Sequence, residues 1–465
     1  MHLEQIYLAC LSQASYLIVD ERTKTAAVVD PRRDVGIYLE KARQHGATIR
    51  HVLLTHFHAD FLAGHLELRE RTGATIHLGA RGVAQYPTVP MRDGGALEFG
   101  DVRLEFLETP GHTPESVSIV VVDRARGAQS PVAVLTGDTL FIGDVGRPDL
   151  MVSAGMKAED LAGMLYDSLH QKLLKLPDET IVYPGHGAGS ACGKNLSSDM
   201  SSTIGKQRLL NYALQPMTRA EFVHLVASEQ PPAPAYFAYD AGLNRAERPT
   251  LERVLLSALK PLTLDELRRE QQDGALLLDT RDADSFAAEH LRGALNFGLS
   301  GRYASWVGTL LDPARALVLV TAPGKEEESA TRLGRIGFDR ILGFLRGGMA
   351  SAAPRAELVV RGERISREAL AARLVAVNPP LVVDVRTNME WNAGHIEGAL
   401  HVVLDDLAHE LARVPAEREL VVVCKSGYRS SIAASLLRAG GCERVTDLTG
   451  GMDAWSAVQS GACTS

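Results

Sequence analysis

The sequence predicts a multidomain α/β protein: a mixed α/β layered domain first, then two smaller α/β domains, each built on a parallel sheet. Three observations carry this. Residues up to about 200 alternate short apolar strand patterns with a few helices, the C-terminal half repeats itself, and a proline-rich stretch lies between the two parts. A length of 465 residues fits about three domains.

In chain order, "YLIVD", "TAAVVD", "LEFG", "VRLEFLE", "VSIVVV", "VAVLTGD" and "TIVYPGH" read as strands, because β-branched and apolar residues alternate or run together and stop at turn residues. The spacing of apolar residues predicts helices over 35–45 and 161–174. The stretch "EQPPAPAYFAYDAGLNRAERP" is rich in proline and hard to make regular, which marks a linker. A first domain is therefore expected over 1–245, with the linker beginning near 228. Beyond it, "LLLDTRDADSFAAEHLRGALN" (276–296) aligns with "LVVDVRTNMEWNAGHIEGALH" (381–401), and "ALVLVTAPGKEEESATRLGRIGF" (316–338) aligns with "ELVVVCKSGYRSSIAASLLRAGG" (419–441). A unit of about a hundred residues is too long for a solenoid and reads as a duplicated domain, expected over 246–353 and 354–465. Each copy runs buried strand, helix, buried strand, tight loop and helix, the alternation of a parallel sheet covered on both faces.

A formal net charge of −8 without a Lys/Arg-rich run argues against a nucleic-acid partner. No apolar run approaches the roughly 18 residues that span a bilayer, and the opening "MHLEQIYLACLSQASYLIVDE" has an early Glu and broken hydrophobicity, so neither membrane insertion nor a signal peptide is expected. The five cysteines, Cys10, Cys192, Cys424, Cys442 and Cys463, are odd in number and irregularly spaced. That pattern predicts reduced thiols and a cytoplasmic location rather than a disulfide framework. Cys463 falls in a tail expected to fray.

Four polar residues or clusters follow directly on apolar strands: His56, His58 and Asp60 after "HVLLT", His112 after "LEFLETPG", Asp138 after "VAVLTG" and His186 after "TIVYPG". Strand ends feeding short loops let a rigid sheet aim several ligands at one point. "HFHAD", "PGHT", "TGDT" and "PGH" in that order resemble the metallo-β-lactamase fold, which implies an αββα sandwich; "TGDTLFIGDVGRPDL" and "VYPGHG" resemble the persulfide dioxygenases, relatives of glyoxalase II. A glyoxalase-II-type thioesterase needs two bridged metal ions on H-x-H-x-D-H, and here Phe61 stands in place of the last His. A phenyl ring donates no lone pair, which leaves a mononuclear site, and two His with one carboxylate suit non-haem Fe(II). From the residues alone His58 is as eligible as Asp138. The resemblance implies one Fe(II) per chain on His56, His112 and Asp138, with His58, Asp60 and His186 orienting ligands or water. It also implies that Arg147 and Tyr183 line the substrate pocket. In "GAGSACGKN", Cys192 and Lys194 lie close to the ligands in sequence, and the glycines would let backbone N–H groups approach an anion.

The last copy holds "VVVCKSGYRSS", in which Cys424 leaves a buried strand and enters a loop before a helix. A thiol there faces the helix N-terminus and a cradle of N–H groups from Lys425, Ser426, Gly427 and Tyr428, with Arg429 adding charge, and these favour thiolate. "DVR", "GHIEGA", the C-x-x-G-x-R loop and "GGMDAW" resemble a rhodanese-type sulfurtransferase from about 355 to 465. A phosphatase loop is one residue longer, so sulfur fits better than phosphate. In the middle copy Thr321 replaces Cys424 and Glu326 replaces Arg429, so the scaffold is kept without its nucleophile, and the role expected is structural.

Over essentially its whole length the chain is similar to bacterial persulfide dioxygenases fused to two rhodanese domains. The resemblance implies oxidation of a glutathione or coenzyme A type persulfide by O2 to sulfite, sulfur exchange between sulfite, thiosulfate and thiols at Cys424, and a homo-oligomer. The alternative is a mononuclear zinc thioesterase fused to a sulfur-carrier domain.

Overall fold

The computed structural model describes residues 1–127, 130–152, 155–228, 230 and 232–456; the expectation about Cys463 lies outside them. The chain divides into two compact units, Met1–Leu251 with Gly334–Gly337, and Glu252–Leu333 with Phe338–Ser465.

The first unit stacks two six-stranded sheets. One carries His2–Leu8, Gln13–Val19, Thr25–Val29, Thr48–Leu54, Thr75–Gly79 and Val89–Met91, antiparallel at its start and parallel from Thr25 on. The other carries Ser202–Thr203, Ile181–Pro184, Ala133–Gly137, Val117–Asp123, Val102–Glu108 and Ala96–Phe99. Tyr16, Ile18, Val29 and Leu53 of one sheet meet Leu104, Phe106, Ile119, Val121 and Leu135 of the other in a single buried cluster. Helix Gly36–Gln44 covers the outer face of the first sheet with Tyr38 and Ala42. Helices Ala158–Gln171 and Arg219–Ala227 cover the second with Leu165, Leu169, Phe222 and Val226. Central strands thus face apolar layers on both sides, which is why "QASYLIV" and "VSIVVVD" are buried at every position.

One expectation is corrected. The proline-rich stretch is not irregular throughout: Phe237–Arg245 is a helix, and its residues Phe237, Asp240 and Asn244 are buried. The prolines lie before and after it, while "FAYDAGLNR" contains none and places its buried residues at helical spacing. Burying one phenyl group stabilises by roughly 2–3 kcal/mol, enough to fix a short helix that propensity alone would leave marginal.

In the second unit the duplication is visible as two sheets of the same strand order. Pro261–Leu262, Ile341–Leu345, Leu317–Val320, Leu276–Asp279 and Ala294–Asn296 form one, and Glu363–Ile365, Val445–Leu448, Leu420–Val423, Leu381–Asp384 and Leu400–His401 form the other, all parallel. The repeated D-x-R step has one physical cause in both. Arg281 bonds Asp279 (2.6 Å) and the Glu289 carbonyl (2.7 Å), as Arg386 bonds Asp384 (2.7 Å) and the Gly394 carbonyl (2.7 Å), tying each strand end to the following loop.

Candidate metal centre and sulfur-transfer loop

The strands ending at Leu54, Glu108, Gly137 and Pro184 deliver His56, His112, Asp138 and His186 to one buried point, where both sheets end. Glycines permit the approach. A Cβ on Gly137 would lie 2.5 Å from Thr55 Oγ1, and one on Gly185 would lie 2.4 Å from Asp138 Oδ1, so "TGD" and "PGH" are packing requirements as well as motifs.

His56, His112 and Asp138 form one ligand-competent group, and His58, Asp60 and His186 form a second. Asp138 Oδ2 is 3.5 Å from His112 Nε2 and 3.9 Å from His56 Nε2, and Asp138 Oδ1 is 3.6 Å from His186 Nε2. Both Asp138 oxygens and His186 Nε2 are buried without a hydrogen-bond partner. A buried carboxylate with two idle oxygens facing imidazole nitrogens is costly unless a cation fills the gap, so these residues fit a metal ion.

The far side of each ring is fixed. His112 Nδ1–H donates to the Arg147 carbonyl (2.9 Å), and His186 Nδ1–H donates to the Ser12 carbonyl (3.2 Å). His56 Nδ1 pairs with Thr55 Oγ1 (3.0 Å), whose hydroxyl donates to Asp30 (2.8 Å). Each bond sets the tautomer that leaves Nε2 a lone pair. Burial, then the neighbouring His58, His112 and His186, push His56 well below the usual imidazole range, which keeps it neutral. Burial would also lower His58, but Asp30, 3.0 Å from its Nε2, outweighs it and raises the group. The Phe61 ring lies against His58 at 4.4 Å between centroids and is itself buried.

Cys192 is buried beside Asp138 and His186 with its sulfur at ligand spacing, and burial, Asp60 and Asp138 raise its thiol. Arg147 is also buried, but its guanidinium is engaged with Asp149 (two bonds of 2.7 Å) and the Ala191 carbonyl (3.1 Å). Lys194 Nζ donates to the Ser228 carbonyl, and its backbone N–H to Asp144 (2.7 Å). Tyr183 packs, half-buried, on the core between the sheets, its ring 5.5 Å from that of Tyr16.

Sequence reasoning missed Asp30 and Asn244. Asp30 follows an apolar strand just as the ligands do, so its signal was present in "TAAVVD". Asn244 had none that separates it from a surface amide. Its side chain donates to the carbonyls of His58 (2.8 Å) and Phe61 (2.8 Å) and accepts from Ala63 N–H (2.9 Å), pinning the metal loop. Arg245, next on the helix, stacks on Phe57 at 5.1 Å.

In the second unit Cys424 directly follows the wholly buried strand Leu420–Val423, and helix Tyr428–Ala439 starts four residues on. Gly427 N–H points at Cys424 Sγ (3.1 Å), and Ser430 Oγ is 3.5 Å from it. Gly427 holds φ 94°, a left-handed conformation that turns this N–H inward. Lys425 and Ser426 are exposed, whereas the Tyr428 hydroxyl donates to the Gly298 carbonyl (2.8 Å). Arg429 makes a two-pronged pair with Glu390 (2.7 and 2.8 Å). Thr321 in the middle copy is buried, and its helix opens with Glu326, Glu327 and Glu328, which repel an anion where the active copy would attract one.

A buried two-His, one-carboxylate point on an αββα sandwich, followed by a duplicated parallel-sheet domain with a cysteine in the loop between a buried strand and a helix N-terminus, defines a metal-dependent hydrolase-like fold fused to sulfurtransferase-like modules. The chain belongs to the metallo-β-lactamase superfamily and carries two rhodanese-like domains: the superfamily model matches residues 8–186, and the rhodanese-like model matches 263–353 and 366–458. The persulfide dioxygenase ETHE1 of Homo sapiens is 27% identical over 247 residues, which is 52% of this chain and 87% of the relative. A cytoplasmic hydroxyacylglutathione hydrolase of Arabidopsis thaliana is 34% identical over 183 residues, 39% of this chain and 66% of the relative. A crystal structure of a metallo-β-lactamase from Staphylococcus aureus subsp. aureus COL is 31% identical, with a TM-score of 0.66, and the match covers 74% of this chain and 98% of that one.

Proposed function

We propose that the chain oxidises a low-molecular-weight thiol persulfide, of glutathione or coenzyme A type, with O2 to sulfite, and couples this to sulfur transfer among sulfite, thiosulfate and thiols at Cys424. The observation that carries the first half is the buried His56, His112 and Asp138 group with its idle carboxylate oxygens, beside the Cys192 thiol. Held there, one Fe(II) would supply redox chemistry with O2 that no side chain offers. Two features favour a single ion. Phe61 fills the place of a further ligand, and His58 Nε2 lies 3.0 Å from the Asp30 carboxylate, which competes with a metal ion for it. The chain's own part is to keep His56 and His112 in the ligating tautomer, to hold His186 facing Asp138, and to exclude water. Arg147 serves through its carbonyl on His112 and through the loop its guanidinium ties down.

At the second site the Cys424 thiolate attacks the outer sulfur of thiosulfate. The S–S bond breaks, sulfite leaves with the electron pair, and Cys424 holds a persulfide; the reverse step returns the sulfur to sulfite. Gly427 N–H stabilises the anionic sulfur in both forms. Arg429, whose charge is paired with Glu390, braces the first turn of the helix, and Lys425 and Ser426 are exposed at the loop.

Anaerobic loading with Fe(II), followed by O2 uptake and sulfite formation with glutathione persulfide and coenzyme A persulfide, tests the first half. Stoichiometric zinc without O2 uptake would sink it. The donor group His58, Asp60 and His186 keeps one other reading in view, thioester hydrolysis as in the hydroxyacylglutathione hydrolases. Turnover of a hydroxyacylglutathione by the zinc form, with no response to persulfides, would establish that reading instead.

A further inference from the structure

The middle copy has no nucleophile, yet it touches the active copy where the sulfur chemistry is set. Its strand Ala294–Asn296 lies along helix Tyr428–Ala439, the helix that begins at the Cys424 loop. Asn296 N–H donates to Ser435 Oγ (3.0 Å), and Asn296 Oδ1 accepts from Ser431 Oγ (2.7 Å). Asn296 is itself held, since its amide donates to the carbonyls of Asp279 (3.2 Å) and Arg281 (3.0 Å). One turn nearer the loop, the Tyr428 hydroxyl donates to the Gly298 carbonyl (2.8 Å). A second route runs from Asp284 of the middle copy to Arg364 (2.5 Å) and on to Asp447 (3.1 Å). Asp447 Oδ2 accepts from Ser430 Oγ at 3.4 Å, and that oxygen is 3.5 Å from Cys424 Sγ.

We infer that the middle copy is a positioning domain for the sulfur-transfer site: Asn296 and the Gly298 carbonyl hold Tyr428, Ser431 and Ser435, and so fix Gly427 N–H and Ser430 Oγ against Cys424 Sγ. The need is physical. Helix Tyr428–Ala439 has no side-chain cap at its N-terminus, so the direction of the N–H groups that face the sulfur depends on what the side chains of its first two turns bond to. The stabilisation of an anionic sulfur by such groups falls off steeply with misalignment. Ser431, Ser435 and Asn296 are buried, and bonds between buried neutral groups define one geometry where exposed charges would not. A copy that has lost its chemistry is therefore kept for the face at 296–298. Asn296, Ser431 and Ser435 are positioning residues; neither the sulfur nor a substrate touches them.

The inference rests on Cys424 being the sulfur-carrying residue. It is tested in the full-length chain by the pH dependence of iodoacetamide alkylation, followed on the Cys424 peptide by mass spectrometry, together with thiosulfate-to-cyanide sulfur transfer. In Ser431→Ala and in Tyr428→Phe the alkylation midpoint is expected to rise by about 0.5–1 pH unit, and kcat to fall about 5–10-fold with KM within about twofold. Ser431→Thr, which keeps the hydroxyl, restores both. Midpoints and kcat equal to those of the unaltered chain, or a lower thermal midpoint with neither changed, would overturn the inference and reduce these contacts to adhesion between the copies. If the unaltered chain transfers no sulfur, the reading of Cys424 under Proposed function fails, and the alkylation midpoints still decide this one.

Discussion

Phe61 is the residue on which the proposed metal count turns. Its ring is buried against His58, and in the sequence it stands where H-x-H-x-D-H carries its last His. A histidine fits the same volume, so Phe61→His is expected to raise the metal bound per chain above one ion, measured by metal analysis after zinc loading. If capacity stays at one, Phe61 is not what limits it. Asp138 is the complementary case. Asp138→Ala removes the carboxylate that faces three imidazoles, and metal content and O2 uptake are both expected to fall by more than about 100-fold. That His56, His112 and Asp138 come together was legible in the sequence because each follows an apolar strand and is a residue type with a lone pair. The partners of the ligand rings were not. The Ser12 and Arg147 carbonyls are backbone atoms, and no residue letter announces a carbonyl's direction.

Helix Phe237–Arg245 was hidden for a different reason: flanking prolines dominate the local pattern, and its buried face is short. Asn244→Ala would leave the carbonyls of His58 and Phe61 and the N–H of Ala63 without their partner. The expected loss is about 2–4 kcal/mol in unfolding free energy, with weaker metal retention, read by thermal unfolding of the metal-free and loaded chain. In the other unit, helix Asn388–Asn392 presents Glu390 to both its own cap and Arg429. Burial alone would raise Glu390, but the Arg429 bond and the Thr387 N–H hold it down at about 2. A carboxyl lowered in the folded state contributes stability that is complete above its unfolded value, about 4.3, and is lost as the pH falls toward 2. Glu390→Gln is therefore expected to flatten the decline in thermal midpoint between about pH 5 and 2, relative to the unaltered chain.

At the scale of the whole molecule the two proposed sites fall in separate compact units, so the proposed activities should separate on mutation. His56→Ala is expected to abolish O2 uptake and leave thiosulfate sulfur transfer intact; Cys424→Ser is expected to do the reverse. If both variants were inert in both assays, the division of labour would be wrong. The duplication was legible because strand order, the D-x-R step and the closing glycines repeat in the letters themselves. What the alignment could not show is the contact between the copies, since Asn296 and Ser431 are unremarkable letters until two domains bring them together. The bonds of Asn244 carry one more consequence, for the order in which the molecule is made. They join residues 181 to 186 positions apart, so the metal loop, translated early, lacks its final partner until the helix has left the ribosome. A nascent chain halted before residue 237 would carry His56, His112 and Asp138 without the clasp that holds the loop from His58 to Ala63 in shape.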